Sequence, residues 1–396
     1  MQIKIHRKHK IIEIFTQKTK ILLDGGINLE ENEVIFLKDV QEDLAIDRVD
    51  GIFLSHYKTD YVTTTKGLFE DVKFYAGELT ASIFAKSLEY KSKKLIEYAE
   101  VFENRKEITV GDIKITPYLV DLPKYNGYMF LIQSADKSIL YTGDYRANTR
   151  TSFQEVLAKL PKEIDVLICE NCTISKFDIN LVTEYDIKMQ ITEKIKATEG
   201  PVFVIQDVTD FDRAMSVFSA ATTNDRVYLE DLYMAQIGQG AEYAMPNPVD
   251  FKNTFAYIKN GYREDHYRYK MFTKQARMIK TDLLNNDFVM NVRPSCKKYL
   301  KSLFQTMKFK SGLLILTVPY YMERTREIRE FIEFMESKKI EVMVIKNSGH
   351  ANAKAVKELA NVVNPRKIVP IIASDASVLY KEYPNSTIIK DDEVWC

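Results

Sequence analysis

Two rhythms of apolar and polar positions run along the chain. Up to about residue 150, short runs rich in β-branched and aromatic residues recur at 11–15, 21–24, 51–55, 72–76, 113–120, 128–133 and 138–142. Each is bounded by turns containing Gly, Asp or Lys, and runs of this length and makeup predict strands. One stretch keeps a different period. Ile83, Phe84, Leu88, Leu95 and Ile96 recur at helical spacing, which predicts a helix from Leu79 to about Tyr98. Beyond Ser152 strand and helix alternate. Strands are predicted at 164–169, 202–206, 226–229, 288–292, 313–317 and 340–345, and helices at 184–198, 210–221, 297–307 and 324–336. Gly200 and Pro201 stop the first of these helices before its strand. Such alternation implies parallel strands joined by crossover helices. The tail reads as a helix at 351–362, a strand at 367–372, a short helix at 374–380 and a strand at 386–389. The aromatic, turn-rich stretch 239–269 fits no element.

Composition adds bounds. With 396 residues, 45% of them apolar, the chain can bury two compact lobes or one domain carrying a large insertion. Its 56 basic and 56 acidic residues cancel, which argues against a generally basic nucleic-acid binder and leaves room for a local basic groove. Four cysteines are too few for a disulfide framework at this length. Cys169 and Cys172 have C-x-x-C spacing, but no second pair completes a zinc knuckle, and Cys169 closes the apolar run 164–169. Burial is the expected role of Cys169. The basic N-terminus precedes an apolar run too short and too acidic for a signal peptide, and no stretch approaches a membrane span. A soluble cytoplasmic protein without a membrane partner is the expectation.

Four segments carry chemistry. Gly51-Ile-Phe-Leu-Ser-His-Tyr-Lys-Thr-Asp-Tyr61 is a strand ending in Leu-Ser-His and a turn. Tyr118-Leu-Val-Asp-Leu-Pro-Lys-Tyr-Asn-Gly-Tyr-Met-Phe130 is a second strand and loop. Ile139-Leu-Tyr-Thr-Gly-Asp-Tyr-Arg146 contains Tyr-Thr-Gly-Asp followed by an arginine. Asn347-Ser-Gly-His-Ala351 is followed downstream by Val369-Pro-Ile-Ile372. In order and spacing these resemble the H-x-H-x-D-H, V-D-H-S, Y-T-G-D-x-R, S-G-H-A and P-x-H segments of metallo-β-lactamase-fold hydrolases of the β-CASP, ribonuclease J-like branch. Cys169-Glu170 falls where that branch carries an acidic residue at a strand end.

The resemblance implies an α/β fold, an αββα sandwich with an inserted α/β lobe. The host would comprise residues 1–175 plus 340–396 and the insertion 176–339, with a site in the cleft. Active relatives hold two zinc ions with five histidines and two aspartates, and the metals activate water against a phosphodiester. Here His56, Asp60 and Asp144 keep ligand-type side chains. Lys58, Tyr61, Leu122 and Ile372 stand where four histidines are expected. Leucine and isoleucine have no lone pair and a lysine ammonium has none either, whereas catalytic zinc needs three protein ligands. No resident metal is therefore expected, with zinc or manganese at low occupancy as the alternative.

Two carboxylates left without their cation repel one another. Lys58 beside Asp60 and Asp144 would replace the metal with an ion pair. Glu170 and His350 would remain as a residual acid–base pair, and Arg146 as a phosphate contact. His6, His9 and His266 read as surface or packing residues, and the aromatic–basic segment 262–270 as an amphipathic helix or a base-stacking surface. The expected function is an impaired hydrolase that binds RNA, single-stranded nucleic acid or a protein partner. An active one-metal or metal-free hydrolase and a structural scaffold, self-associating or paired with another protein, are the alternatives.

Overall fold

The structure is a computed structural model. It describes residues 1–6, 11–24, 46, 48–57, 72–92, 99–120, 127–145, 152–171, 182–241, 254–257, 278–285, 287–307, 309–318, 325–345, 351, 353–373, 385–387, 389 and 393–395. The first strands in chain order are β1 (Gln2–His6), β2 (Ile11–Phe15), β3 (Lys20–Leu23), β4 (Gly51–Leu54), β5 (Phe74–Ala76), β6 (Ala99–Val101), β7 (Ile108–Val110), β8 (Ile113–Val120), β9 (Gly127–Gln133), β10 (Ser138–Tyr141) and β11 (Val166–Asn171). There follow β12 (Val202–Ile205), β13 (Val227–Asp231), β14 (Thr254–Tyr257), β15 (Phe288–Asn291), β16 (Gly312–Leu316), β17 (Ile340–Val344), β18 (Lys367–Ala373) and β19 (Val394–Trp395). The helices are α1 (Glu78–Ser92), α2 (Phe153–Leu157), α3 (Glu184–Ala197), α4 (Phe211–Thr223), α5 (Leu232–Ala241), α6 (Lys297–Thr306), α7 (Arg326–Glu336) and α8 (Ala353–Val363).

The chain forms two compact units. The first comprises Met1–Leu88, Leu95–Leu181 and Gly349–Cys396, and the second Glu89–Lys94 and Val182–Ser348. In the first unit two mixed sheets face each other, with strand orders β19-β1-β2-β3-β4-β5-β6 and β18-β11-β10-β9-β8-β7. The period-2 pattern makes this a sandwich. Ile3, Ile5, Ile12, Ile14, Ile21, Leu23 and Phe53 turn inward and meet Ile113, Ile115, Phe130, Ile132, Ile139, Val166 and Ile168. Phe53 stacks on Tyr75 at 4.5 Å and meets Phe130 edge-on at 5.9 Å. Burying one such phenylalanine stabilises by about 1.5–3 kcal/mol.

The second sheet is apolar on both faces because both are covered. Met129, Leu131, Leu140, Leu167 and Cys169 point outward and pack under Phe153 and Leu157 of α2 and Val356 and Leu359 of α8. On the other sheet, Phe84 of α1 lies against Phe74 at 6.2 Å. Cys169 is a buried free cysteine, as its position in the apolar run implied. Glu13 and His6 are also buried, paired with each other, and Lys20 Nζ lies 3.3 Å from Glu13. Burial works to raise the Glu13 carboxyl, but His6 and Lys20 outweigh it and hold the group below its usual range. His6 is thus a packing residue.

The second unit is a six-stranded parallel sheet in the order β14-β13-β15-β12-β16-β17. Ile187, Ile191 and Ile195 of α3 and Val217, Ala220 and Ala221 of α4 cover Val202, Val204, Tyr228, Val289, Leu313 and Ile315. Leu300 and Leu303 of α6 and Ile328, Phe331, Phe334 and Met335 of α7 cover Phe203, Ile205, Leu229, Met290, Leu314 and Leu316. A capping box of Thr183 and Asp186 starts α3, and the Thr325 hydroxyl caps α7. One boundary needs correction. The sequence returned the chain to its host at 340, but β17 pairs in register with β16, so the second unit runs on to Ser348. Alternation alone cannot tell which sheet a strand joins.

Several elements went unread. β6 and β7 have three residues each, too few to show a period, and β1, which alternates as Gln2-Ile-Lys-Ile-His6, lies within the basic N-terminus. α5 follows β13 without a turn, which hid its start, and carries two helix-disfavouring glycines near its end. It and β14 overlap the stretch that fitted no element.

Candidate functional site

Three strand ends of the first unit converge. Asp24 follows β3, Ser55 and His56 follow β4, and Thr142, Gly143 and Asp144 follow β10. β3 and β4 are parallel neighbours with Leu23 opposite Phe53, so Asp24 arrives beside Ser55. It takes a left-handed conformation, φ 52°. Its carboxylate accepts from the Ser55 backbone N–H at 2.7 Å, the Ser55 hydroxyl at 2.6 Å and the Tyr141 hydroxyl at 2.5 Å. Tyr141 belongs to the facing sheet, so this buried carboxylate ties the two layers together.

Proton counting orients His56. The Ser55 hydroxyl has one hydrogen, and Asp24 takes it. Ser55 Oγ, 2.8 Å from His56 Nδ1, must therefore accept, which places a hydrogen on Nδ1. Nε2 then faces Asp144 Oδ2 at 3.4 Å. A hydrogen-bonded Nδ1 that aims Nε2 outward is how proteins orient a metal-ligating histidine. The His56 side chain is 1% exposed and that of Asp144 20%, so the pair leads from the core toward the surface.

Gly143 sits at φ 57°, and a Cβ there would lie 2.6 Å from Ser55 Oγ and 2.8 Å from Ser55 Cβ. Gly143→Ala is expected to lose about 2–4 kcal/mol of stability, from backbone strain and displacement of Ser55. Urea unfolding checks this, and a loss below about 0.5 kcal/mol would show that Ser55 moves freely.

The structure brings His56 and Asp144 together. Lys58, Asp60, Tyr61, Leu122, Arg146 and His350 lie outside the described residues, as do His9, His266, Cys172 and the segment 262–270. Glu170 and Ile372 are placed by their backbones alone, on β11 and β18, which are parallel neighbours with Cys169 opposite Pro370 and Asn171 opposite Ala373. The sequence reading missed the supporting residues Asp24, Ser55 and Tyr141. The signal was the acid closing the apolar run Ile21-Leu-Leu-Asp24 before two glycines.

A zinc centre needs three or four protein donors. Among the described residues no three His, Cys, Asp or Glu side chains converge, and His56 with Asp144 provides two.

Two facing sheets with helices outside them, interrupted in sequence by a parallel α/β unit, define the metallo-β-lactamase αββα sandwich with a β-CASP-like insertion. Curated proteins at low identity are similar to the chain. The chain is similar to ribonuclease J 2 of Streptococcus pyogenes, 26% identical over 223 residues covering 52% of this chain and 39% of that protein. It is also similar to ribonuclease J of Helicobacter pylori, 20% identical over 390 residues covering 90% of this chain and 53% of that protein. The chain thus spans about half the length of that relative or less. A crystal structure of a protein of unknown function from Enterococcus faecalis superposes with a TM-score of 0.75 at 18% identity, over 100% of this chain and 99% of the other. No family model matches the chain. No helix among the described residues is long and apolar enough to cross a membrane.

Proposed function

We propose that the protein is a ribonuclease J-like pseudo-hydrolase that binds RNA without two-metal cleavage. What supports this is the sequence: Lys58, Tyr61, Leu122 and Ile372 stand where the resembled family carries histidines, while His56, held by the Asp24–Ser55 pair, and Asp144 keep ligand-type side chains. The support for one ligand survives while the donors of a dinuclear site are too few. In this reading Lys58 neutralises Asp60 and Asp144, and Glu170, His350 and Arg146 form a polar phosphate-binding cluster. Removing one partner of a buried ion pair costs roughly 3–5 kcal/mol, so Lys58→Ala should lower the melting temperature clearly; an unchanged value contradicts the pairing.

RNA as the ligand rests on the names of the relatives, because fold does not specify substrate. Protein purified without chelator should contain far less than one zinc or manganese per chain by plasma emission. It should shift single-stranded RNA with an affinity that falls steeply with salt, leaving the strand intact. A second reading has its own support: the Nδ1 hydrogen bond keeps His56 Nε2 turned as a ligand would be, which suits a one-metal hydrolase. Stoichiometric metal with metal-dependent cleavage would establish that reading instead. Neither metal nor RNA binding would leave a scaffold.

A further inference from the structure

Four polar side chains are buried together at the carboxyl ends of the second unit's strands. Gln206 follows β12, Tyr228 and Glu230 lie on β13, and Asn291 ends β15. All face α3 and α4. Val204, Tyr228 and Val289, each two residues before Gln206, Glu230 and Asn291, belong to the core under those helices, and side chains two apart share a face. Their exposures are 5%, 1%, 4% and 1% in chain order.

The Tyr228 hydroxyl is the hub. Asn291 Nδ2 donates to it at 2.6 Å, and it donates to Glu230 Oε1 at 3.0 Å. Gln206 reaches the same phenol, but neither of its amide atoms attains hydrogen-bond geometry, and Asn291 Oδ1 accepts no hydrogen bond. Buried polar atoms in folded proteins are nearly always satisfied, so two amide oxygens and one amide nitrogen mark a place that expects a partner.

Charge selects the kind of partner. The Glu230 carboxyl is pushed up to about 7, chiefly by burial and further by Asp231, and no base offsets either effect. Arg213 of α4 is held by Glu184 at 2.8 Å and by the Thr317 carbonyl at 3.1 Å. Arg293 is held by Asp231, which with Leu229 points to the other face of the sheet. Among the described residues, Asp207 and Asp210 on the loop before α4, Asp212 in its first turn and Asp186 at the start of α3 are further acids on the α3 and α4 side. An anion would meet repulsion here. A divalent metal usually takes more than one carboxylate, and Glu230 alone joins the cluster.

Topology agrees. The chain leaves β13 for β14 on one side and β15 for β16 on the other, so the crossovers diverge between β13 and β15. Parallel sheets take ligands at the carboxyl ends of strands where crossovers diverge.

We propose that Gln206, Tyr228, Glu230 and Asn291 form a site for a small monovalent cation, an alkali ion or ammonium. The two amide oxygens, the phenol oxygen and the Glu230 carboxylate are its ligands. Where Glu230 carries its hydrogen, binding releases it to solvent as the ion enters, and the carboxylate balances the charge of the cation.

The test uses the full chain. Thermal unfolding is followed in potassium, sodium, ammonium and choline chlorides at one ionic strength, at pH 6 and pH 8. At least one small cation should raise the melting temperature of the second unit by several degrees, saturably and more at pH 8, where the proton competes less. Choline is too large and should not. Equal, unsaturating behaviour in all four salts overturns the proposal and leaves buried water as the partner of these amides. A Gln206→Leu/Asn291→Leu variant that folds should lose the cation dependence, and retention of it also counts against the site. The wild-type salt series decides the question if that variant fails to fold.

Discussion

Asp24→Ala is expected to lower the unfolding free energy by about 3–5 kcal/mol and to loosen the site it supports. The carboxylate is 1% exposed and accepts three hydrogen bonds, two from Ser55 and one from Tyr141. Hydrogen bonds to a charged acceptor are worth about 1.5–3 kcal/mol each, though three on one group do not add fully. Truncation leaves the Ser55 amide and the Ser55 and Tyr141 hydroxyls to find other partners in a dry interior. It also frees the Ser55 proton, so Ser55 Oγ no longer has to accept from His56 Nδ1. Urea unfolding of the wild type and of Asp24→Ala measures the first effect. The chemical-shift pattern of the His56 ring nitrogens measures the second. A loss under about 1 kcal/mol with an unchanged His56 tautomer would mean that the carboxylate does not organise this corner.

The second large effect concerns metal. On the proposed ligand register, placing histidine together at Lys58, Tyr61, Leu122 and Ile372 should bring the chain to about two zinc ions, because each imidazole supplies a strong zinc donor that leucine, isoleucine and a lysine ammonium lack and a phenol offers only weakly. His56 already has its ring oriented and Asp144 lies 3.4 Å from it, so new donors would join groups in place. Metal content after dialysis and zinc-dependent thermal stabilisation are the readouts. A folded quadruple variant that binds no zinc would show that the four positions do not converge on His56 and Asp144, which ends the carry-over of the ligand set.

How much was legible follows from which signals are local. Each run that became a central strand of the first unit announced itself by its own residues, and so did the alternation that became the parallel sheet. Leu-Ser-His and Tyr-Thr-Gly-Asp marked His56 and Asp144 because the motifs are contiguous. Asp24 was invisible as a functional residue, since its partners Ser55 and Tyr141 lie 31 and 117 positions away. The Gln206, Tyr228, Glu230 and Asn291 cluster was equally hidden: each is an ordinary polar residue until three strands are laid side by side.

Residue order alone determined the class of architecture, two strand-rich blocks around an α/β insertion, because hydrophobic period depends on near neighbours. It also determined which residue types stand in the segments that resemble metal-binding motifs, because side-chain identity does not depend on the fold. Tertiary structure decided that β17 joins β16, that Asp24 bridges the sheets, and that the Ser55 proton orients His56. Those outcomes depend on hydrogen bonds and sheet register between distant segments, and such pairings exist only once the chain has closed on itself.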